Sequence, residues 1–362
     1  MVQVRVHAAR KSGFSDVGSL FLAAAASTAG VPWTVTNLNV PSGGYESFAY
    51  GVSGGQQAGS ILASVRRASL WSGSAASWVD LNPAGASSSA AFGISGSQQV
   101  GSALVGGATH ASLWSGSAAS WVDLNPTPAL ESEAFAVSGG QQVGIVYSGS
   151  FGTRATLWNG SASSSVDLSP TFGTSYSIAL GVSDGQQVGW VDEGGSQRAS
   201  LWSGSAASWV DLHPAAAVYI SNAFAVSGGQ QVGRVFTGEA FHASLWTGSA
   251  ASWVDLHPAG ATYSEANGVS SGQQVGRAVV GGKDHASLWS GAAASWVDLH
   301  AFVPAWFDSS TATSIWSDDH VTYVVGYGNN TLNEGGTNEA LLWTHEVSTP
   351  RLGRDRLQPR GP

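Results

Sequence analysis

The pentapeptides GVSGG at Gly51–Gly55 and GVSDG at Gly181–Gly185 match the G-x-S-x-G pattern that makes a serine a nucleophile. That chemistry needs a strand turning abruptly into a helix, a histidine to take the proton and an acid to orient the histidine. The same segment returns as AVSGG at Ala136–Gly140 and Ala225–Gly229, bounded each time by strand-forming residues. A hairpin turn accounts for all four. Histidine is the next candidate. His110, His242 and His285 stand directly before an A-S-L-W segment, in a slot that Arg67, Arg154 and Arg198 fill elsewhere. A metal ligand must offer a lone pair, which a guanidinium lacks. The slot therefore predicts a hydrogen bond or ion pair to the nearby Asp. His213, His257 and His300 follow V-D-L, where other copies have Asn or Ser, and read as polar caps on a strand end. Asp318, Asp319 and His320 form an acid–His group that breaks this pattern. No acid, base and nucleophile converge outside the repeats. The sequence predicts no catalytic residue, no metal site, no cofactor and no enzyme.

The elements that hold these residues repeat. The Trp of the L-W segment recurs at Trp71, Trp114, Trp158, Trp202, Trp246 and Trp289, in steps of 43 or 44 residues, and Trp343 follows after 54. The Asp of V-D-L recurs at Asp80, Asp123, Asp167, Asp211, Asp255 and Asp298. A Gln-Gln pair starts at Gln56, Gln98, Gln141, Gln186, Gln230 and Gln273, and the seventh copy is read with Asp319–His320 in its place. Each unit divides into four short strands, as in AFAVSG, QQVGRVFTG, HASLWTG and SWVDLHP, with Gly, Ser or Pro at every join. Four strands in about 43 residues make one propeller blade. The expected fold is all-β: a seven-bladed β-propeller over residues 31–350, with an N-terminal extension or signal segment at 1–30 and a basic tail at 351–362.

The seventh unit lacks its last strand. TVTNLNVP at Thr34–Pro41 resembles SWVDLNP, and Asn37 precedes Asp80 by one period of 43 residues. Thr34–Asn39 is therefore expected to close the ring, removing an open sheet edge. In that blade Glu339 takes the Arg/His slot. Asn37 in place of Asp avoids two opposed carboxylates.

Composition bounds the partners. The chain has 362 residues, 16 Trp, no Cys and a net charge of −9, and residues 31–350 hold 7 basic against 21 acidic side chains. Phosphate neutralisation by this body is excluded, so no nucleic acid is expected. Disulfides and thiolate chemistry are excluded too. No run of 18 apolar residues predicts a membrane span. The seven L-W tryptophans are expected in the core, and Trp78, Trp121, Trp209, Trp253 and Trp296 in a partly exposed outer ring.

The string AFGISGSQQVG…HASLW…WVDLNP resembles the repeats of the HAF family, a set of extracellular bacterial proteins. The resemblance covers roughly residues 48–343, in six good copies and one poor one. Ser stands where that family often has Asn, and Ser replaces Phe in HASLW. The resemblance implies a propeller-like fold, export to the cell surface or beyond, and no defined activity.

The copies differ most in the loops joining second to third strands and in those joining one blade to the next. These hold Tyr147, Phe151, Trp190, Asp192, Glu193, Tyr219, Phe236, Glu239, Tyr263 and Trp306. Function gathers on loops over a rigid scaffold, and aromatic residues beside acids suit sugar or protein recognition. The expected role is an exported, non-catalytic module that binds a glycan or a surface protein through this face. The alternative is a structural repeat protein that self-associates.

Overall fold

The computed structural model describes residues 32–40, 46–149, 152–170, 176–333 and 335–347. The chain divides into two units, Met1–Gly30 and Val31–Pro362. The expected extension at 1–30 and the tail at 351–362 lie outside the described residues.

The second unit is a ring of seven four-stranded antiparallel sheets. Blade 1 runs Glu46–Ser53, Gln56–Leu62, Arg66–Trp71 and Val79–Asp80 from the axis outward. Blades 2 to 6 repeat it, with inner strands Ser88–Ser95, Glu131–Ser138, Ser177–Ser183, Ser221–Ser227 and Ser264–Ser270. In blade 7 the strands lengthen to Phe307–Ser317, Val321–Asn330 and Thr337–Glu346, and Thr34–Asn37 supplies the outer strand. Val35 lies opposite Trp343, and Asn37 donates to Glu339 at 2.6 Å. The predicted closure and its amide–carboxylate pair are both present.

Register in blade 7 departs from the sequence reading. Its hairpin is extended, and Ser317 pairs with Thr322 near the tip. Gly326 opposes Ala312, as Gly59 opposes Ala49, so Tyr323–Val324 occupies the place of Gln56–Gln57. Asp319–His320 lies in the turn instead. Asp318 accepts the backbone N–H groups of His320 and Val321, both at 2.8 Å, and these bonds hold its carboxyl below the usual range. The acid–His group is turn chemistry.

All seven L-W tryptophans have no exposed surface. Each packs between its own blade's inner strand and the preceding blade's wall, as Trp202 does with Ala179 and Val182 of blade 4 and Val143, Leu157 and Leu168 of blade 3. Removing that much apolar area from water stabilises by several kcal/mol per ring, at roughly 25 cal/mol per Å². The outer tryptophans are half-buried, and Trp78 donates to Ser69 Oγ at 3.0 Å. Arg67, His110, Arg198, His242 and His285 each bond the Asp of the adjoining outer strand.

Polar groups latch blade to blade. The buried serine opening each inner strand accepts a backbone N–H from the third strand of the preceding blade, as Ser221 does from Ala199 at 2.9 Å. Its own hydroxyl faces the second residue after that blade's outer strand: Asn82 for Ser89, Asn125 for Ser132, Ser169 for Ser177. His213, His257 and His300 take this role for Ser221, Ser264 and Ser310 at 2.7–2.8 Å. The three imidazoles are thus latches between blades, a role wider than capping one strand. Burial holds all three below the ordinary histidine range, aided by Arg198 beside His213, His242 beside His257 and His285 beside His300.

The second Gln of each Gln-Gln pair is also structural. Gln57 donates to Gly55 O at 2.6 Å and accepts from Gly73 N at 2.8 Å, tying two turns of one face together. Gln99, Gln142, Gln187, Gln231 and Gln274 repeat the clip. A buried side-chain amide satisfied at both ends keeps those turns uniform.

Candidate functional site on the propeller axis

The inner strand of every blade bulges at one repeated position, between Ala49 and Gly51 in blade 1 and at matching places in the other six. The extra residues are Tyr50, Phe92, Phe135, Leu180, Phe224, Asn267 and Thr313. A bulge leaves one residue out of the ladder and re-aims its side chain. The neighbouring strand makes room for it. A Cβ on Gly59 would sit 1.9 Å from the carbonyl oxygen of Phe48, and Gly101, Gly144, Gly189, Gly233, Gly276 and Gly326 meet the same obstacle at the same distance. Glycine in Q-Q-V-G is therefore the sequence mark of the bulge.

These seven residues form a collar around an axial cavity of about 460 Å³. Tyr50 and Phe92 have ring centroids 5.7 Å apart, and Phe92 and Phe135 are 5.9 Å apart. Asn267 donates to Ala312 O at 3.0 Å and Thr313 to Ala49 O at 2.8 Å, giving the collar a polar sector. Burial pushes the Tyr50 hydroxyl above its usual range, against the opposing influence of Ser60 and Arg66. Beyond the collar, towards the tight turns, the wall includes Ser53, Ser95, Ser138, Ser183, Ser227 and Ser270, with Trp316 at the corresponding place in blade 7. The cavity can offer apolar contact at one level and hydroxyl hydrogen bonds at another.

This places the axial site among the inner-strand ends near the monotonous turns, away from the loops singled out by sequence. Of the predicted residues, Phe151 lies outside the described residues. Trp190 stacks on Tyr176 at 5.2 Å. Asp192 accepts from Gly195 N, and Glu193 pairs with Arg198. Tyr219 is 70% exposed at a φ of +65°, Trp306 is 44% exposed and Glu239 is exposed. Tyr147 ends the second strand of blade 3 and is 38% exposed. Among the described residues, Phe236 and Tyr263 meet through Phe241, at centroid distances of 5.2 and 5.8 Å, and Phe236 bonds the backbone on either side of Tyr219. The G-x-S-x-G segments lie at hairpin tips, as expected of turns. Among the described residues, no group of three or more His, Asp or Glu could hold a metal, and no helix is long and apolar enough to cross a membrane.

No protein-family model and no curated protein matches the chain. Many solved structures do. A puromycin hydrolase, an S511A mutant complexed with PGG, matches at 12% identity and a TM-score of 0.55, over 83% of this chain and 54% of its own. The β-propeller domain of the Trilobed protease from Pyrococcus furiosus, described as having an open velcro topology, matches at 9% identity and a TM-score of 0.56, over 84% of this chain and 97% of its own. YCF48 bound to D1 peptide matches at 11% identity and a TM-score of 0.51, over 88% of this chain and 97% of its own. This chain thus spans about half the length of the puromycin hydrolase. At such identities the likeness establishes the propeller fold. It also corrects two expectations. The non-enzymatic module for glycans or surface proteins, with its self-associating alternative, gives way because the similar structures include a puromycin hydrolase and the propeller domain of a protease. That expectation rested on loop diversity, which also arises where packing constrains little.

Proposed function

We propose that this propeller serves peptide hydrolysis from the substrate side, taking an extended stretch of polypeptide into its axial cavity. The collar is the observation that carries the reading. Tyr50, Phe92, Phe135, Leu180 and Phe224 give apolar contact on five blades, while Asn267, Thr313 and the mouth serines can bond a peptide backbone. The peptidase propellers and the peptide-bound YCF48 among the similar structures support it. Bond cleavage is assigned in this proposal to groups beyond the propeller, because Ser221, Ser264 and Ser310 beside their imidazoles are buried latches. The test is fluorescence anisotropy with a labelled, unstructured peptide of about a dozen residues. The parent protein is expected to bind it. The combined Phe92→Gln, Phe135→Gln and Phe224→Gln variant is expected to lose about tenfold or more in affinity, some 1.4 kcal/mol. Unchanged affinity in a folded triple variant refutes the reading.

A further inference from the structure

The junction of blades 5 and 6 is filled by charge. Glu265 is held by Arg234 of blade 5 at 3.1 Å and by Arg277 of its own blade at 2.9 Å. Tyr263 donates to Glu265 and accepts from Arg234 at 2.6 Å. Arg277 also pairs with Asp284 at 2.9 Å. The two guanidinium groups lie over the rings of Phe241, at 4.3 Å, and Tyr263, at 4.8 Å.

Register places Glu133 of blade 3 where Glu265 stands in blade 6. Each follows a buried latch serine, Ser132 or Ser264, and precedes a buried alanine, Ala134 or Ala266. Glu133 lies opposite Ile145, whereas Glu265 lies opposite Arg277. In blade 2, Ser102 opposes Ala90 at the place where Arg234 opposes Asn222 in blade 5. Thr109 replaces Phe241, Thr153 replaces Asp284, and Glu131 replaces Tyr263. Neither arginine is present at these places, while two carboxylates remain, Glu131 and Glu133. In their stead is a cleft of about 370 Å³ lined by Thr109, Glu131, Glu133, Ile145, Tyr147 and Thr153 among others. A neighbouring cleft of about 330 Å³ shares Thr109 and Glu133 with it.

We propose that the cleft between blades 2 and 3 binds an organic cation, a guanidinium or primary ammonium group brought by a ligand, in the position that arginine fills between blades 5 and 6. The cation would lie between Glu131 and Glu133, its aliphatic stem against Ile145 and Tyr147. A half-buried carboxylate beside a second carboxylate is costly, and an apposed cation offsets that cost. Burial raises the Glu133 carboxyl above its usual range, Ser102 lowers it, and Glu131 raises it again. The aromatic face of Tyr147 suits a cation as Tyr263 suits Arg277. The site goes beyond the axial reading and does not depend on it.

Isothermal titration with N-acetyl-L-arginine amide, N-acetyl-L-lysine amide and the neutral N-acetyl-L-norleucine amide tests the proposal. One or both cationic amides should bind and the neutral one should not. Glu133→Gln should weaken binding about tenfold or more, and so should raising salt from low to about molar concentration. Ile145→Arg rebuilds the blade-6 pair and should abolish binding while leaving the melting temperature at or above the parent value. Should Ile145→Arg not fold, Glu133→Gln and the salt series decide alone. Equal binding of the neutral amide, or full affinity in the folded variants, overturns the site.

Discussion

At the scale of single residues, a glycine decides where a side chain on the next strand can go. Gly189 has an ordinary extended conformation, yet a Cβ there would meet the Ile178 carbonyl at 1.9 Å. Gly189→Ala must push the bulged strand away or abolish the bulge. Overpacking of this kind is expected to cost about 3 kcal/mol and to lower Tm by roughly 4–5 °C in calorimetry. An unchanged Tm would mean that the bulge is soft. The bulge was not legible in the linear sequence, although its mark was. Q-Q-V-G recurs in plain view, but a strand glycine can signal a turn, a bulge or nothing until its partner strand is in place.

Among elements, the closing strand was legible and the reason is electrostatic. Glu339 is 5% exposed and is bonded by amides of Asn37, Asn330 and, more distantly, Asn39 and Asn333. The carboxylate thus has donors without a cation. Asn37→Asp removes the 2.6 Å donor and opposes a second negative charge. The expected loss is about 2 kcal/mol or more, read as a lower denaturant midpoint, since hydrogen bonds to charged groups contribute about 1.5–3 kcal/mol. Asn37→Ser, which keeps a donor, should lose less. If Asp and Ser variants unfold alike, charge opposition is not what selects Asn. The Asp and Arg/His periodicity made this pair readable. The Glu339–Asn330 contact was not, because it depends on the lengthened hairpin of blade 7.

Across the whole molecule, the latches couple every blade to the next, and three of them titrate. Ser221, Ser264 and Ser310 each accept a backbone N–H and pair with an imidazole Nδ1; at His257 the ring Nε2–H donates to Ala261 O at 3.0 Å, so in the neutral ring Nδ1 accepts the Ser264 hydroxyl. The facing charged groups are Arg198, Asp211 and Glu193 at His213, His242 and Asp255 at His257, and His285, Asp298, Asp308 and Lys283 at His300. All three histidines are held below their unfolded value of about 6.5. The unfolded chain therefore binds more protons across that window. The stability from these latches is present above about pH 6.5 and is lost as pH falls through 6.5 towards the folded values. Tm should drop between about pH 7 and 5. Replacing His213, His257 and His300 together with Asn, as at 39, 82 and 125, should flatten that drop. An equally steep profile in the Asn variant would assign the dependence to other groups.

Much was written in the order of residues alone. A Trp every 43 or 44 residues, with Gly and Pro at each join, dictates four short strands, one buried wall per blade and the terminus that seals the ring. These follow from local pattern and period, which act within one repeat. The collar and the blade 2–3 cleft needed the folded ring. Phe92 and Phe135 meet across blades, and Glu133 lies opposite Ile145 where Glu265 lies opposite Arg277. Whether a gap is filled depends on side chains some 30 residues away along the chain, brought near by blade packing. Pattern within a repeat carries no record of those distances.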